Sequence, residues 1–382
     1  MRFELLGTDG SARATRLATA HGVVETPAFM PVGTQGSVKG LTPDELKGVG
    51  TQIVLANTYH LYLRPGHVLV RELGGLHRFM GWDGPILTDS GGFQVYSLAS
   101  LRKVSEEGVT FRSHLDGSEH LLAPELSIQV QEALGADIIH PLDECLAQPV
   151  SHADTERSLA LTLRWAARAT AAARAGGGGR TIFGIVQGGI HEDLRRRAVE
   201  GTCALGFDGY AVGGLAVGEP KPLMLDVVEL MGTLLPQDRP RYLMGVGKPP
   251  DLIEAVARGM DLFDCVLPTR NARNGQLFTA AGTLTIKNSQ YGSDARPPDP
   301  ECACYTCRHF SRAYLRHLYQ ARELLAPRLF SLHNLHFYQR LMADMRAAIR
   351  AGEFREFQAR FLDRYGVSSE GGSSEILRDV EA

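Results

Sequence analysis

Eight short apolar runs, each closing on a small, polar or glycine residue, recur along the chain and leave it very few architectures. They are Pro27–Gly33, Gln52–His60, Pro85–Gly91, Asp137–Glu144, Thr181–Gly189, Gly209–Leu215, Arg241–Gly247 and Asp261–Pro268. Several are apolar almost throughout, the pattern of parallel strands covered on both faces. Helical patterns separate them. In Ala123–Gly135, Pro124 suits a first turn and Gly135 an end; Asp251–Gly259 reads as a helix with Asp251 as N-cap. Eight strands alternating with helices specify an α/β fold, a (β/α)8 barrel, in preference to a doubly wound open sheet, which rarely needs so many strands.

In such a barrel the reactive groups sit at the C-terminal strand ends. Those ends carry Asn57, Asp89, Asp143, Gln187, Gly213, Gly214, Gly245 and Asp264, and three carboxylates among them exceed what stopping a strand requires. Asp264 interrupts the apolar run Leu262–Leu267, where a lone carboxylate costs on the order of several kcal/mol. Pro268 is expected to end that strand and to leave Arg270 and Arg273 exposed on the exit loop. This suits a nucleophile or acid/base group beside an anion-binding lip. An internal Asp–Arg pair would account for Asp264 equally.

The other ends describe a pocket for a planar heterocycle. Asp89 is followed by Ser90, Gly91 and Gly92, where a ligand can approach the backbone, and by Phe93, which can stack on a ring. Asp143 with Gln187 suits the edge of a guanine-like base, the carboxylate accepting from N–H groups and the amide facing a carbonyl. Capping a helix is the other use for Asp143. Gly213–Glu219 adds backbone N–H groups and a carboxylate, and Met244 can cover the second face of the ring. Asp89 and Asp264 remain as two carboxylates for displacement at a sugar carbon; a separation of about 5 Å would favour a covalent sugar–enzyme intermediate.

The 382 residues carry a formal charge of −3, so a polyanion would have to meet a local patch. Residues 301–364 are net +5, against −5 for residues 1–300. The same basic stretch holds Cys302, Cys304 and Cys307, a spacing typical of tetrahedral structural zinc. His309, His333 and His336 compete for the fourth position; His309 would tighten the loop severely, whereas the other two return from a later helix. With every position filled, such a Zn2+ holds structure and activates no water. The remaining cysteines are scattered, and no run of about 18 apolar residues occurs. A reducing cytoplasm is expected, with no membrane segment.

The first residues read as a polar start. Trp82 to Ile139 is too long for one helix, and Val109–Gly117 alternates like a hairpin, so an insertion between the third and fourth strands is expected. Ala171–Arg180 reads as a frayed helix end plus a glycine connector, Gln276–Tyr291 as a hairpin turning at Ala281–Gly282, and Arg312–Leu362 as helical. The expected division is a barrel over residues 1–275, a hairpin and helical zinc-binding subdomain over 276–365, and a disordered tail over 366–382.

The motifs TDSGGFQV, LDEC, FGIVQGG, GYAVGGLAVGE, YLMGVGKP, FDCVLPTR with RNGQ, and CxCxxC with a later His occur in this order. Together they resemble the bacterial queuine tRNA-ribosyltransferases, also called tRNA-guanine transglycosylases, from about Phe3 to Tyr365. The resemblance implies a (β/α)8 barrel with a C-terminal zinc subdomain, usually a homodimer. It implies an exchange of guanine at the wobble position of certain tRNAs for a 7-deazaguanine. Asp264 would be the nucleophile on the ribose carbon and Asp89 the general acid/base. Ser90, Gly91, Gly92, Asp143, Cys145, Gln187, Gly214, Leu215 and Glu219 would line the base site, with Phe93 and Met244 sandwiching the ring. Gly245, Val246, Gly247, Lys248, Pro249, Pro250 and Asp251, with Thr269, Arg270, Asn271, Ala272 and Arg273, would hold the anticodon loop. The zinc ligands fall on Cys302, Cys304, Cys307 and His333. Cys145 and Val217 match the bacterial pattern, which favours 7-aminomethyl-7-deazaguanine over queuine, with Glu219 near its amine. Some members have Tyr where Phe93 stands, so stacking is kept and a hydroxyl bond is lost.

A nucleophilic Asp264 should be an anion, favoured by Arg270 or by strand-end amides. Two rival readings remain at this level. A glycoside or nucleoside hydrolase on the same barrel would release free base, and a zinc-containing RNA-binding module would bind RNA equally well after Asp264→Asn.

Overall fold

The computed structural model describes residues 1–98, 102–176 and 179–366. At its centre stand eight parallel strands: β1 (Ala28–Pro31), β2 (Val54–Ala56), β3 (Ile86–Thr88), β4 (Ile138–Ile139), β5 (Thr181–Val186), β6 (Gly209–Val212), β7 (Arg241–Leu243) and β8 (Leu262–Cys265). From β2 to β8 each strand pairs with the next, and β8 pairs with β1. A bridge between Val32 and Leu55, with the Gly33 amide donating to the Leu55 carbonyl at 2.6 Å, joins β1 to β2. The sheet closes into the expected (β/α)8 barrel.

Both strand faces are apolar because each packs on something dry. Met30, Leu55, Leu87, Ile185 and Tyr242 fill the barrel interior, while Phe29, Val54, Ile86, Val186 and Leu243 pack beneath the helices. Strand side chains alternate between faces. The inward row Leu262, Asp264 therefore carries a carboxylate into the mouth, as does the row Leu87, Asp89. Each acid sits where its strand runs out of interior.

The stretch read as a polar start is an antiparallel meander of Arg2–Asp9, Ala12–Thr19 and Gly22–Thr26. Leu17 and Val24 join the interior cluster, so the meander plugs the N-terminal end of the barrel. Arg13 reaches Asp261 at 2.5 Å, a buried ion pair at the foot of β8. The Asp9–Gly10 turn was the available signal. The insertion after β3 is present as three antiparallel strands, Arg102–Val104, Val109–Arg112 and Glu119–Leu122.

Several local expectations shift. Helix His152–Ala175 runs unbroken through the alanine-rich stretch, because Ala166, Ala169 and Ala173 are buried and alanine favours helix. Helix Pro249–Ala257 starts two residues before Asp251, with Lys248 at its N-cap, since Pro249 and Pro250 fit a first turn. Pro268 likewise opens helix Leu267–Arg273, so Arg270 and Arg273 lie on a helix and not on a loop. The hairpin Gln276–Thr279/Gly282–Thr285 turns at Ala280–Ala281, one residue early. Helix Leu325–Ala351, which packs on this hairpin, is bonded to the barrel: Asn334 donates to the Pro268 carbonyl, Tyr338 to that of Gly247 and Gln339 to that of Phe29. The tail expected over 366–382 lies, beyond Gly366, outside the described residues, as do positions 177 and 178 of the glycine connector.

Candidate active site

Asp89 is buried at the end of β3 and takes its partners from the end of neighbouring β2. Asn57 Nδ2 donates to its Oδ2 at 2.5 Å and the Thr58 amide to its Oδ1 at 2.8 Å. Burial pushes the carboxyl up, Asn57 and Thr58 pull it down, and the charge of Asp264 adds to the rise, which leaves it at about 6. A group near 6 can both give and take a proton at neutral pH.

Asp264 is held from β7. The Tyr242 hydroxyl donates to Oδ1 at 2.6 Å and the Gly245 amide to the same oxygen at 2.8 Å. Oδ2 takes neither of these bonds. Burial raises this carboxyl as well, opposed by Tyr242 and Gly245. The support comes from Tyr242 and the strand-end amide, not from Arg270. Burial and the Asp264 charge keep the Tyr242 hydroxyl well above its ordinary range, so it remains a donor. Burial also pushes the Cys145 and Cys265 thiols up to about 12, which removes both as thiolate nucleophiles at neutral pH.

Asp143 is clamped between two mouths. Ser90 Oγ donates to its Oδ1 and Gln187 Nε2 to its Oδ2, each at 2.7 Å. It caps no helix; the next one begins at His152. The Ser90 hydroxyl in turn accepts the Gly92 amide at 3.1 Å. Gly92 is required there, because a Cβ would come 2.5 Å from the Asp143 carbonyl oxygen. Gly214 has φ +68°, and a Cβ on it would collide with Gln187 Oε1. Burial raises the Asp143 carboxyl against the pull of Ser90 and Gln187. The cluster is a dry acceptor edge with an adjacent amide, suited to a donor-rich heterocycle.

The remaining pocket residues are placed less uniformly. Leu215 and Glu219 are buried, and the Glu219 carboxylate accepts from the Ala216 and Val217 amides at 2.5 and 3.0 Å. Met244 is half-buried against the barrel interior. Phe93 lies on helix Gly92–Leu98 and is 44% exposed, at the rim of the buried network. Gly91 follows Ser90 with φ +85°.

Two supporting residues escaped the sequence reading. Tyr242 sits two positions before Met244 and shares its inward face, which was the signal for it. Arg195 is fully buried and donates to the carbonyls of Val186 at 2.8 Å, Gly189 at 2.8 Å and Gly213 at 2.9 Å. It ties the end of β5 to the end of β6 directly beside Gln187 and Gly214. In the run Arg195–Arg197, only Arg195 shares a helix face with the buried Val199 and Thr202. Burial brings its guanidinium down to about 10, still charged at neutral pH.

A cationic lip flanks the mouth. Arg270 and Arg273 are half-buried, and Arg273 Nη1 donates to the Thr269 carbonyl at 3.1 Å. Burial and the Arg270 charge lower Arg273, while burial and the Arg273 charge lower Lys39, which the sequence did not single out. These like charges repel, and an anion would relieve them. Lys248 is exposed at its helix N-cap, and Asp251 pairs with Lys221 at 2.7 Å.

Cys302, Cys304, Cys307 and His333 bring their ligand atoms within 4.8 Å of one another. His333 Nδ1 lies 3.8, 3.4 and 3.2 Å from the Cys302, Cys304 and Cys307 sulfurs, and its Nε2 donates to the Phe278 carbonyl at 2.8 Å. That bond turns the Nδ1 lone pair toward the thiols, as a metal ligand requires. His336 approaches Cys302 alone, at 3.5 Å. The donor set fits one metal ion with no open position. No helix among the described residues is long and apolar enough to cross a membrane.

Comparison with known proteins agrees with this geometry. The family model described as queuine tRNA-ribosyltransferase matches residues 9–367. A queuine tRNA-ribosyltransferase of Solidesulfovibrio magneticus is 59% identical over 357 residues, 94% of this chain and 96% of that protein. One from Nitrosomonas eutropha is 57% identical over 361 residues, covering 94% and 99%. One from a Thermoanaerobacter species is 53% identical over 372 residues, covering 97% and 99%. A carboxylate clamped between Ser90 and Gln187, two further carboxylates at barrel strand ends and a Cys3His cluster thus occur in a chain that belongs to the queuine tRNA-ribosyltransferase family.

Proposed function

We propose that this chain exchanges guanine at the wobble position of tRNAs with a G-U-N anticodon for 7-aminomethyl-7-deazaguanine, a step in queuosine biosynthesis. The observation that carries the reading is Asp143, clamped by Ser90 and Gln187 in the mouth that also holds Asp89 and Asp264. One group reads a base edge and two remain for the sugar. Cys145 and Val217, which match the bacterial pattern, support the aminomethyl base, and Glu219 would lie near its amine.

In this mechanism Asp264 Oδ2 attacks ribose C1′ and the C1′–N9 bond breaks. Its electron pair leaves with guanine, which takes the Asp89 proton. The Asp89 carboxylate then removes the ring N–H proton of the incoming base. That nitrogen closes the new C1′ bond as the Asp264 oxygen leaves. Base exchange nearly conserves the glycosidic bond energy, so no external energy source enters. The RNA has to be splayed for its base to reach a closed pocket, and Lys248, Arg270 and Arg273 would hold its phosphates. Asp143, Gln187, Gly214 and Leu215 would read the base between Phe93 and Met244.

Cys302, Cys304, Cys307 and His333 would hold a structural Zn2+, which supplies folding stability and no chemistry. Residues 1–275 form the catalytic barrel and 276–365 the zinc subdomain in this reading. A homodimer belongs to it too, and the exposed Tyr305, Tyr314 and Leu324 offer apolar surface for one. Six free cysteines suit a reducing cytoplasm.

Incorporation of labelled guanine into unmodified tRNA carrying a U-G-U anticodon context tests the reading. The wild type should incorporate label and Asp143→Ala should require far more base. Free guanine released without incorporation would mark a hydrolase, and RNA binding without either would mark a binding module.

A further inference from the structure

Two histidines that take no part in the mouth meet one carboxylate at the opposite end of the barrel. Asp137 immediately precedes β4, and its Oδ2 accepts the amide of Ile86, the first residue of β3, at 2.9 Å. His21, in the turn between the last two meander strands, places Nδ1 2.8 Å from Asp137 Oδ1. His77, on helix Gly75–Met80, places Nε2 3.1 Å from Oδ2. The two imidazoles stack with centroids 3.6 Å apart and planes 20° from parallel. The ligand atoms of all three residues lie within 4.8 Å of one another.

Three segments remote in sequence therefore converge two ring nitrogens on one anchored carboxylate. A hydrogen-bonded staple needs only the two N···O contacts. The ring stack in addition holds one nitrogen of each imidazole toward the carboxylate, so that three donor atoms gather around a common point. The carboxylate side chain is 1% exposed, His77 14% and His21 39%, so the cluster opens to water on one side only. Burial pushes the Asp137 carboxyl up, but hydrogen bonds from His77, the Ile86 amide and His21 outweigh it and bring the group to about 2. It is an anion throughout the neutral range. Imidazole and carboxylate donors with water completing the shell suit first-row divalent ions, and differ from the thiolate set of the closed Cys3His cluster.

We propose that His21, His77 and Asp137 form a second metal site, open to solvent, for a divalent first-row transition ion such as Zn2+ or Co2+. Bound there, the ion fastens the meander and helix Gly75–Met80 to the foot of β3 and β4, far from the base pocket. It contributes stability and is exchangeable.

The test uses tag-free, full-length protein whose Cys3His cluster is already filled with zinc, titrated with Co2+ at neutral pH by calorimetry and visible absorption. One further equivalent per chain is expected, with ligand-field bands and no sulfur-to-cobalt charge-transfer band. His21→Ala and His77→Ala should each weaken this uptake by at least about tenfold without changing base exchange. Asp137→Asn should abolish the uptake, but disturbs the Ile86 amide as well; the exposed His21 keeps the test decisive. Absence of a second equivalent in the wild type, or one that survives both histidine substitutions, overturns the site and leaves a hydrogen-bonded staple.

Discussion

Tyr242 donates its hydroxyl to Oδ1 of Asp264 at 2.6 Å from the adjacent strand. The bond favours the carboxylate over the acid and engages Oδ1, not Oδ2. Tyr242→Phe removes one hydrogen bond to a charged group, about 1.5–3 kcal/mol. Exchange should slow by roughly 10- to 100-fold in kcat, with KM for tRNA unchanged. Single-turnover kinetics would check this, and an unaltered kcat would reduce Tyr242 to a packing residue.

The pH dependence follows from Asp89. Its folded value lies at about 6, raised by burial, so it is protonated below that pH and ionised above it. Attack by the incoming base needs the carboxylate. When that step limits the rate, exchange should fall about tenfold per unit below pH 6 and level off above it. Asp89→Asn should lose this acid limb together with most of the rate. A limb near pH 4 would show that burial does not govern the group in solution.

Arg195 offers a test of second-layer positioning. Arg195→Met keeps the bulk and leaves the Val186, Gly189 and Gly213 carbonyls without their donor. Stability should drop by about 3 kcal/mol or more. In the protein that still folds, KM for guanine should rise about tenfold, because the backbone beside Gln187 and Gly214 loosens, while KM for tRNA changes little. Thermal melting and separate titrations of the two substrates would distinguish these effects.

Removal of the metal is expected to act on structure and not on chemistry. His333 is fully buried, and its Nε2 bond to Phe278 couples the cluster to the hairpin after β8. Cys302→Ser, or prolonged exposure to a strong chelator, should lower the melting temperature and expose the C-terminal helices to protease. A folded, metal-free and fully active variant would overturn the structural role.

Much of this was legible in the sequence for a physical reason. Strands dry on both faces leave contiguous apolar runs, and an acid at the end of such a run, as at Asp89 or Asp264, stands out. Asp143 with Gln187 was legible in the same way. The meander was not, because Arg2–Asp9 is largely unburied and Ala12–Thr19 buries Ala12, Arg13, Ala14 and Thr15, small and polar residues that leave no apolar run. Arg270 was misplaced because proline was read as a stop when it was a first turn. The buried faces of Tyr242 and Arg195 were legible but their partners were not, because those carbonyls and carboxylates are brought near only by barrel closure. Spacing left three histidines open for the metal cluster; the direction of His333 Nδ1 is a property of the fold.

The central claim is that Asp264 forms a covalent bond to the ribose. Wild-type protein mixed with tRNA and rapidly denatured should yield a protein–RNA adduct whose linkage maps to the peptide containing Asp264. The adduct should disappear when excess guanine is supplied before denaturation. Asp264→Asn should bind the tRNA, form no adduct and incorporate no labelled guanine. Exchange by Asp264→Asn at the wild-type rate, or an adduct mapped to another residue, would contradict the account.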